Sequence, residues 1–248
     1  MKESNIQPII NHPILHIKDM GIIVVADLHI GIEKRLREQG LFTESQTENM
    51  TNSLKKILKK IKAEKIILLG DIKHNIPSTE VFERRDVKNF LNLIKEFGQV
   101  HIVPGNHDGL IKNLISEDIV LHSSKGLVID NIAFIHGHRW PSEKIFRSKD
   151  IIMAHTHPTV MLVDRLGIKS YESCWVKANF IDKKLKEKYP DSSNPNLLII
   201  PAFNPLCGGI SINKEGINGP LGKIIDINNS NLYMLDGTYL GKVKNLNK

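Results

Sequence analysis

Five places in the chain set an aspartate, an asparagine or a histidine at or just beyond the end of an apolar run. They are Asp27-Leu28-His29, Gly70-Asp71, Gly105-Asn106-His107-Asp108-Gly109, His136-Gly137-His138 and His155-Thr156-His157. Carboxylate, imidazole and amide groups suit divalent first-row metals, and a mixed set leaves coordination positions open where the thiolates of structural zinc sites close them. Residues two apart on extended backbone share a face, so Asp27 and His29 should converge, as should His155 and His157, while Leu28 turns into packing. Taken singly, His12, His16, His74, His101 and His122 read as ordinary surface or core histidines. The five groups together ask for one edge to gather them.

The elements that would build this edge are apolar strands alternating with helices. Gly21 to Ala26, Lys65 to Leu69 and Val100 to Val103 read as buried strands, each delivering a polar tip. Between them, Thr43 to Lys62 reads as one helix and a second opens at Ser78 and runs to about Phe97. This β-α-β-α-β order implies parallel strands whose C-terminal ends line one edge, where open α/β sheets hold their sites. Asp27, His29 and Asp71 are thereby expected within ligand distance of one another. After a short helix near Leu110 to Ile115 the pattern turns to strands: Ile119 to His122, Gly126 to Ile129, Ile132 to Ile135 and Asp150 to Met153. Ser170 to Ile181 and Asn196 to Ile200 continue it, with Asp191 to Asn196 an exposed loop. Pro201-Ala202-Phe203-Asn204-Pro205 reads as a structural turn ahead of the alternative, a loop near the site. Neither a G-x-G-x-x-G nor a P-loop pattern follows a strand.

With 248 residues, 41% of them hydrophobic, the chain has material for a sizeable core, and no linker, repeat or low-complexity tract divides it, so residues 1–248 are expected to form one domain. Its apolar runs fall far short of the roughly 18 residues of a membrane helix. The first residues, Met1-Lys2-Glu3-Ser4-Asn5, lack a secretory signal pattern, which gives a cytoplasmic expectation. Cys174 and Cys207 form no C-x-x-C, so neither a disulfide scaffold nor a zinc knuckle is expected. A net charge of +7 suits an anionic partner, although much of the excess lies between Lys55 and Lys65, where lysines fill the face opposite Leu54, Leu58 and Ile61 and read as a solvated helix surface.

In their order along the chain, the five groups resemble the motif series of the calcineurin-like metallophosphoesterase superfamily, over roughly residues 20 to 210. The longer stretches Asp27-Leu28-His29-Ile30-Gly31-Ile32-Glu33, Gly70-Asp71-Ile72-Lys73-His74 and Pro201 to Pro205 look like its archaeal and bacterial branch that includes DNA-ligase-associated phosphoesterases. Two positions depart from the superfamily pattern. Ala154 stands where a glycine usually precedes the paired histidines, and His74 where an acid or asparagine often follows the aspartate, as that branch often shows.

The resemblance implies an α/β fold: a four-layered α/β/β/α sandwich of two mixed sheets flanked by helices. It implies two divalent transition-metal ions, manganese first, with iron, nickel and zinc as alternatives. Asp27, His29, Asp71 and His157 would hold one, and Asp71, Asn106, His136 and His155 the other, Asp71 bridging. A metal-bridging hydroxide would attack a phosphodiester, His107 would transfer a proton, and Asp108 would orient His107 or simply form a turn with Gly109. His138 is open to stacking, to support of the ligands or to plain exposure. The partner implied is a phosphoester, a nucleotide or nucleic acid being candidate forms. The alternatives are a phosphomonoesterase or nucleotide pyrophosphatase, a sequence-independent nuclease, and a non-catalytic binding scaffold. Scaffold relatives such as the retromer subunit of this fold lack the catalytic histidine, so His107 favours an enzyme.

Overall fold

Residues 5–76 and 81–246 are described in the computed structural model, so Ser78, the expected start of the second helix, lies outside the described residues. The first half of the chain runs β1 (Ile6–Pro8), β2 (Leu15–Ile17), β3 (Ile22–Val25), α1 (Ile32–Glu38), α2 (Thr47–Ile61), β4 (Lys65–Leu68), α3 (Val81–Ile94), β5 (Gln99–Ile102) and β6 (Val120–Leu121). The second half runs β7 (Leu127–Ile129), β8 (Ile132–Ile135), β9 (Asp150–Met153), β10 (Pro158–Val163), β11 (Lys169–Ala178), α4 (Asp182–Lys188), β12 (Asn196–Ile199), β13 (Ile210–Ser211), β14 (Asn231–Met234) and β15 (Tyr239–Lys242).

Strands β1 to β6 form one sheet in sequence order, with β3 to β6 mutually parallel and β1 and β2 added antiparallel at the side. The second sheet has the order β13-β10-β11-β12-β9-β8-β7, with β14 also paired to β11 and carrying β15. Its centre, β12-β9-β8, is parallel and most of its outer pairs are antiparallel.

Alternation along the strands sorts the side chains into layers. Ile23, Val25, Ile66 and Leu68 face outward onto Leu54 and Leu58 of α2 and Val87, Leu91 and Ile94 of α3. Ile22, Val24, Ile67 and Leu69 face inward, against Phe134, Ile152 and Trp175 of the second sheet. Strands buried on both faces read as unbroken apolar runs. The outer face of the second sheet, with Ile135, Ile151 and Ile199, is covered by Phe146 and by Leu185 of α4. This is the expected four-layered sandwich, with a thin last layer: α4 has seven residues and the rest is irregular chain and 3-10 turns at Glu143–Arg147 and Pro220–Lys223.

Several local expectations change. The helix expected over Thr43 to Lys62 is α2, starting four residues later, and a further helix that the pattern did not show, α1, opens at Gly31 (φ 96°) before the irregular chain from Gly40 to Gln46. The buried Glu33 of α1 accepts the Gln46 N–H at 2.7 Å and so holds the start of α2. The helix near Leu110 is one 3-10 turn, Ile111–Asn113. Strands β1, β2 and β10 and helix α4 have no counterpart in the sequence pattern. The first two are three residues each, too short to show a period.

Candidate metal centre

In both sheets the parallel strands end on the same edge. Val25, Leu68 and Ile102 lie abreast in the first, and Ile135, Met153 and Ile199 in the second. Beyond the strand ends the chain bends sharply. Asp27 (φ 54°), His29 (39°), Asp71 (49°), His155 (69°) and His157 (46°) all adopt left-handed backbone. They are half of the ten described non-glycine residues with positive φ, so the strain concentrates on the expected ligands, at about 1–3 kcal/mol each. The expectation that each pair shares a face of an extended strand is therefore corrected. Strands β3 and β9 stop before these residues, and convergence comes from successive tight bends.

Backbone hydrogen bonds lock the bends together: Asp27 N–H donates to Gly70 O at 3.1 Å and His29 N–H to Asp71 O at 2.8 Å. Two glycines make room. A Cβ on Gly70, itself at φ 79°, would enter the His136 ring, and one on Gly105 would enter the Asp71 carboxylate.

The side chains meet in two groups that share one residue. Ligand atoms of Asp27, His29 and Asp71 lie within 4.8 Å of one another, and so do those of Asp71, His136 and His155. Asp71 Oδ2 is 3.3 Å from His136 Nε2 and 3.6 Å from His29 Nε2, and Asp27 Oδ1 is 3.4 Å from His157 Nε2. Hydrogen-bonding chemistry fixes which nitrogen faces inward. A carbonyl only accepts, so Nδ1 of His136 must donate to Leu69 O at 3.0 Å, and Nδ1 of His157 to Gly208 O at 3.0 Å. Both rings thereby aim Nε2 at the carboxylates, the nitrogen that a metal would take in place of a proton. Asp27 Oδ1 and His136 Nε2 are buried without a hydrogen-bond partner. Two buried carboxylates, inward Nε2 atoms and partnerless polar atoms fit divalent cations.

Without a cation, protons take up the charge. Burial disfavours a charged His136, but the close negative charge of Asp71, then that of Asp27, raises it to about 9. His157 is also raised: burial opposes its charge and Asp27 outweighs burial. Asp71 and Asp27 are both held below the usual carboxylate range, burial being overcome by His136 and His157 respectively. Burial pushes His29 down to about 3 against the pull of Asp71, and burial with the His136 charge pushes His155 down to about 4.

Asn106 is exposed at the tip of the turn after β5. Next to it, His107 N–H donates to Asp71 Oδ1 at 2.8 Å, and its ring lies 4.7 Å from the His29 ring. Its Nδ1 hydrogen-bonds the His74 carbonyl, so Nε2 is the free nitrogen. Asp108 is buried with its carboxylate on backbone N–H groups, Gly105 at 2.8 Å and Ile72 at 2.8 Å, and so braces two loops. His138 sits beside the second group, its ring 5.2 Å from His136 and 6.2 Å from His155.

Three contributors escape a reading of the sequence. His74, which reads as ordinary, places Nδ1 3.2 Å from His29 Nδ1. Glu83 of α3 is buried and accepts the N–H groups of His74 and Asn75, each at 2.8 Å. Cys207 has its sulfur within 4.8 Å of ligand atoms of His29 and His157. The Pro201 to Pro205 segment does more than turn the chain, since it braces the site: Phe203 N–H donates to Ala26 O at 2.9 Å and Asn204 Nδ2 to Leu28 O at 2.8 Å. A proline at each end is the mark of a turn, which is why the sequence ranks the turn ahead of a loop near the site, and the fold reverses that order. A depression of about 430 Å³ at the far end of β9 and β12, beside Ile6, Asp150 and Asn196, touches none of these groups.

Comparison with known proteins agrees with this fold. The model of the calcineurin-like phosphoesterase family matches residues 20–200. Among solved structures, the chain is similar to the nuclease MPE of Pseudomonas putida, at 21% identity and a TM-score of 0.57, over 94% of this chain and 98% of that one. It is also similar, more loosely, to Yfce, a phosphoesterase from E. coli, at 14% identity and a TM-score of 0.40, over 89% of this chain and 97% of that one. A search of curated proteins finds no match.

Proposed function

The chain belongs to the calcineurin-like phosphoesterase family, and from that membership we propose that it hydrolyses phosphodiesters at a centre of two divalent metal ions shared through Asp71. The observation that carries this reading is the pair of acid–imidazole groups meeting at Asp71, with Asp27 Oδ1 and His136 Nε2 buried and partnerless. Asp27, His29, Asp71 and His157 would hold one ion, and Asp71, Asn106, His136 and His155 the other. The donor set suits manganese, with iron, nickel and zinc as alternatives. When bound, such ions acidify water to a nucleophile and neutralise phosphoryl oxygens.

The chain's own groups do the rest. The Leu69 and Gly208 carbonyls fix the His136 and His157 rings, so that both present Nε2 in one tautomer. His107, tethered through its Nδ1–H to the His74 carbonyl, leaves Nε2 free, from which the imidazolium form would pass a proton to the leaving oxygen and become the neutral ring. Among the described residues, the charged partners of Asp27 and Asp71 are all histidines. The preference for a diester rests on the family likeness and on the chain's net charge of +7, which suits a polyanionic substrate. A nuclease is one kind of diesterase, and the Pseudomonas putida protein of similar fold carries that name. The test is turnover of bis(p-nitrophenyl) phosphate against p-nitrophenyl phosphate with manganese. Faster turnover of the monoester would replace this reading with a phosphomonoesterase.

A further inference from the structure

A groove of about 950 Å³ adjoins the second ligand group. His138 lines it, with its ring 5.2 Å from His136, so the groove opens directly beside the centre. Four of its side chains are cationic, Lys125, Arg139, Lys144 and Lys188, all exposed, against one carboxylate, Glu143. Between them lies Trp140, which packs on the core below and is only partly buried. Lys188 Nζ stands 4.1 Å from its ring centroid. The cations come from separate stretches of the chain and meet only in the fold.

We propose that this groove binds single-stranded nucleic acid leading to or from the metal centre, with an unpaired base stacking on Trp140 and the four cations neutralising phosphates. The proposal rests on the phosphodiesterase reading of the adjoining site. Cations interleaved with an aromatic ring are what a single strand requires, because every base has a stacking face and every linkage a charge. A duplex fits less well, since its bases already stack on each other and offer Trp140 no face. The Lys188 ammonium covers the indole only by a cation–π contact, a weak interaction at an exposed site, so a base can displace it and bring a phosphate to the same ammonium. The lysine face of α2, by contrast, has no aromatic residue among its lysines.

The test is binding of a fluorescein-labelled oligothymidylate by anisotropy, in chelator so that nothing is cleaved, at several salt concentrations. Trp140→Ala should weaken binding roughly 5- to 150-fold, and Trp140→Tyr should restore most of it. Lys125→Glu and Lys188→Glu should each weaken binding and reduce the salt slope by about 0.7 for each phosphate that is no longer neutralised. Trp175 is buried between the sheets, so quenching of tryptophan emission on binding should vanish in Trp140→Tyr. Oligouridylate run in parallel shows whether RNA or DNA is preferred, and tight binding of either supports the proposal. Unchanged affinity in Trp140→Ala and both lysine variants would overturn it, as would stronger competition by a blunt duplex or by polyglutamate. The two readings fail separately. If bis(p-nitrophenyl) phosphate is not hydrolysed while the oligonucleotide still binds through Trp140, the phosphodiesterase reading falls and the groove stands.

Discussion

The Asp108 carboxylate accepts the Gly105 N–H at 2.8 Å across its own turn, and its other oxygen accepts the Ile72 N–H at 2.8 Å from the neighbouring loop. The two loops that carry Asp71 and His107 are thus joined by one buried side chain. Asp108→Asn presents an amide where one of those N–H groups needs an acceptor, which should cost about 1–3 kcal/mol. For a chain of this size that lowers the melting temperature by about 2–4 °C per kcal/mol. Activity should fall through displacement of Asp71 and His107, with the shape of the pH–rate profile unchanged. A variant that melts like the wild type but shifts the profile would make Asp108 a partner of the His107 ring instead.

Asp71 is common to both ligand groups, so metal content should respond unequally to substitution. The wild type is expected to hold two manganese ions per chain by elemental analysis. Asp71→Ala should lose both, His155→Ala one. Chelation should lower the melting temperature, because ligands that bind only the folded state stabilise it. A stoichiometry near one in excess manganese would defeat the two-ion centre.

His107 contacts the site through its backbone N–H and its ring but is tethered away from the carboxylates by the His74 carbonyl. His107→Ala should therefore keep its metal while turnover falls about 10²–10⁴-fold, the scale of a lost general acid. The defect should grow as the leaving group becomes more basic, since a nitrophenolate departs without a proton. Equal losses along a leaving-group series would assign His107 to electrostatic stabilisation of the phosphoryl oxygens.

The metal-free protein should lose stability on both sides of neutrality. His136, at about 9 when folded against 6.5 for an ordinary histidine, contributes fully below pH 6.5, and this contribution is lost as pH rises through 9. His29, at about 3, and His74 and His155, at about 4, contribute above pH 6.5 and lose it as pH falls toward those values. Melting curves across pH in chelator check this. A metal takes the Nε2 that the His136 proton occupies, so binding at pH 7 should release a proton and tighten as pH rises, and calorimetry in two buffers reads that release.

Much of this is legible in the sequence where chemistry and pattern coincide. Apolar runs such as Ile66 to Leu69 announce strands buried on both faces, and the five polar tips announce a shared edge. What stays hidden depends on relations that no local window contains. Asp27 and His29 converge by left-handed bends, which a period of two does not describe. His74 and Glu83 join the site because α3 packs back over the loop after β4, and Asn204 because the chain returns from β12 to the bends after β3. The groove at Trp140 is assembled from residues more than sixty positions apart, such as Lys125 and Lys188.

The left-handed bends also set a direction for change in this fold once catalysis is no longer required. Asp27, His29, Asp71, His155 and His157 each occupy backbone that glycine adopts without penalty and asparagine with little. Replacing His29 or His155 by glycine should make the metal-free chain more stable by releasing that strain, whereas Asp27 and Asp71 also pair with His157 and His136 and accept the His155 and His107 N–H groups. A lineage released from selection on turnover would therefore drift downhill in energy while the sandwich itself stayed intact. The end of that path is an inert shell whose surfaces remain free to recruit other molecules, its first steps the ones that release strain at the histidines.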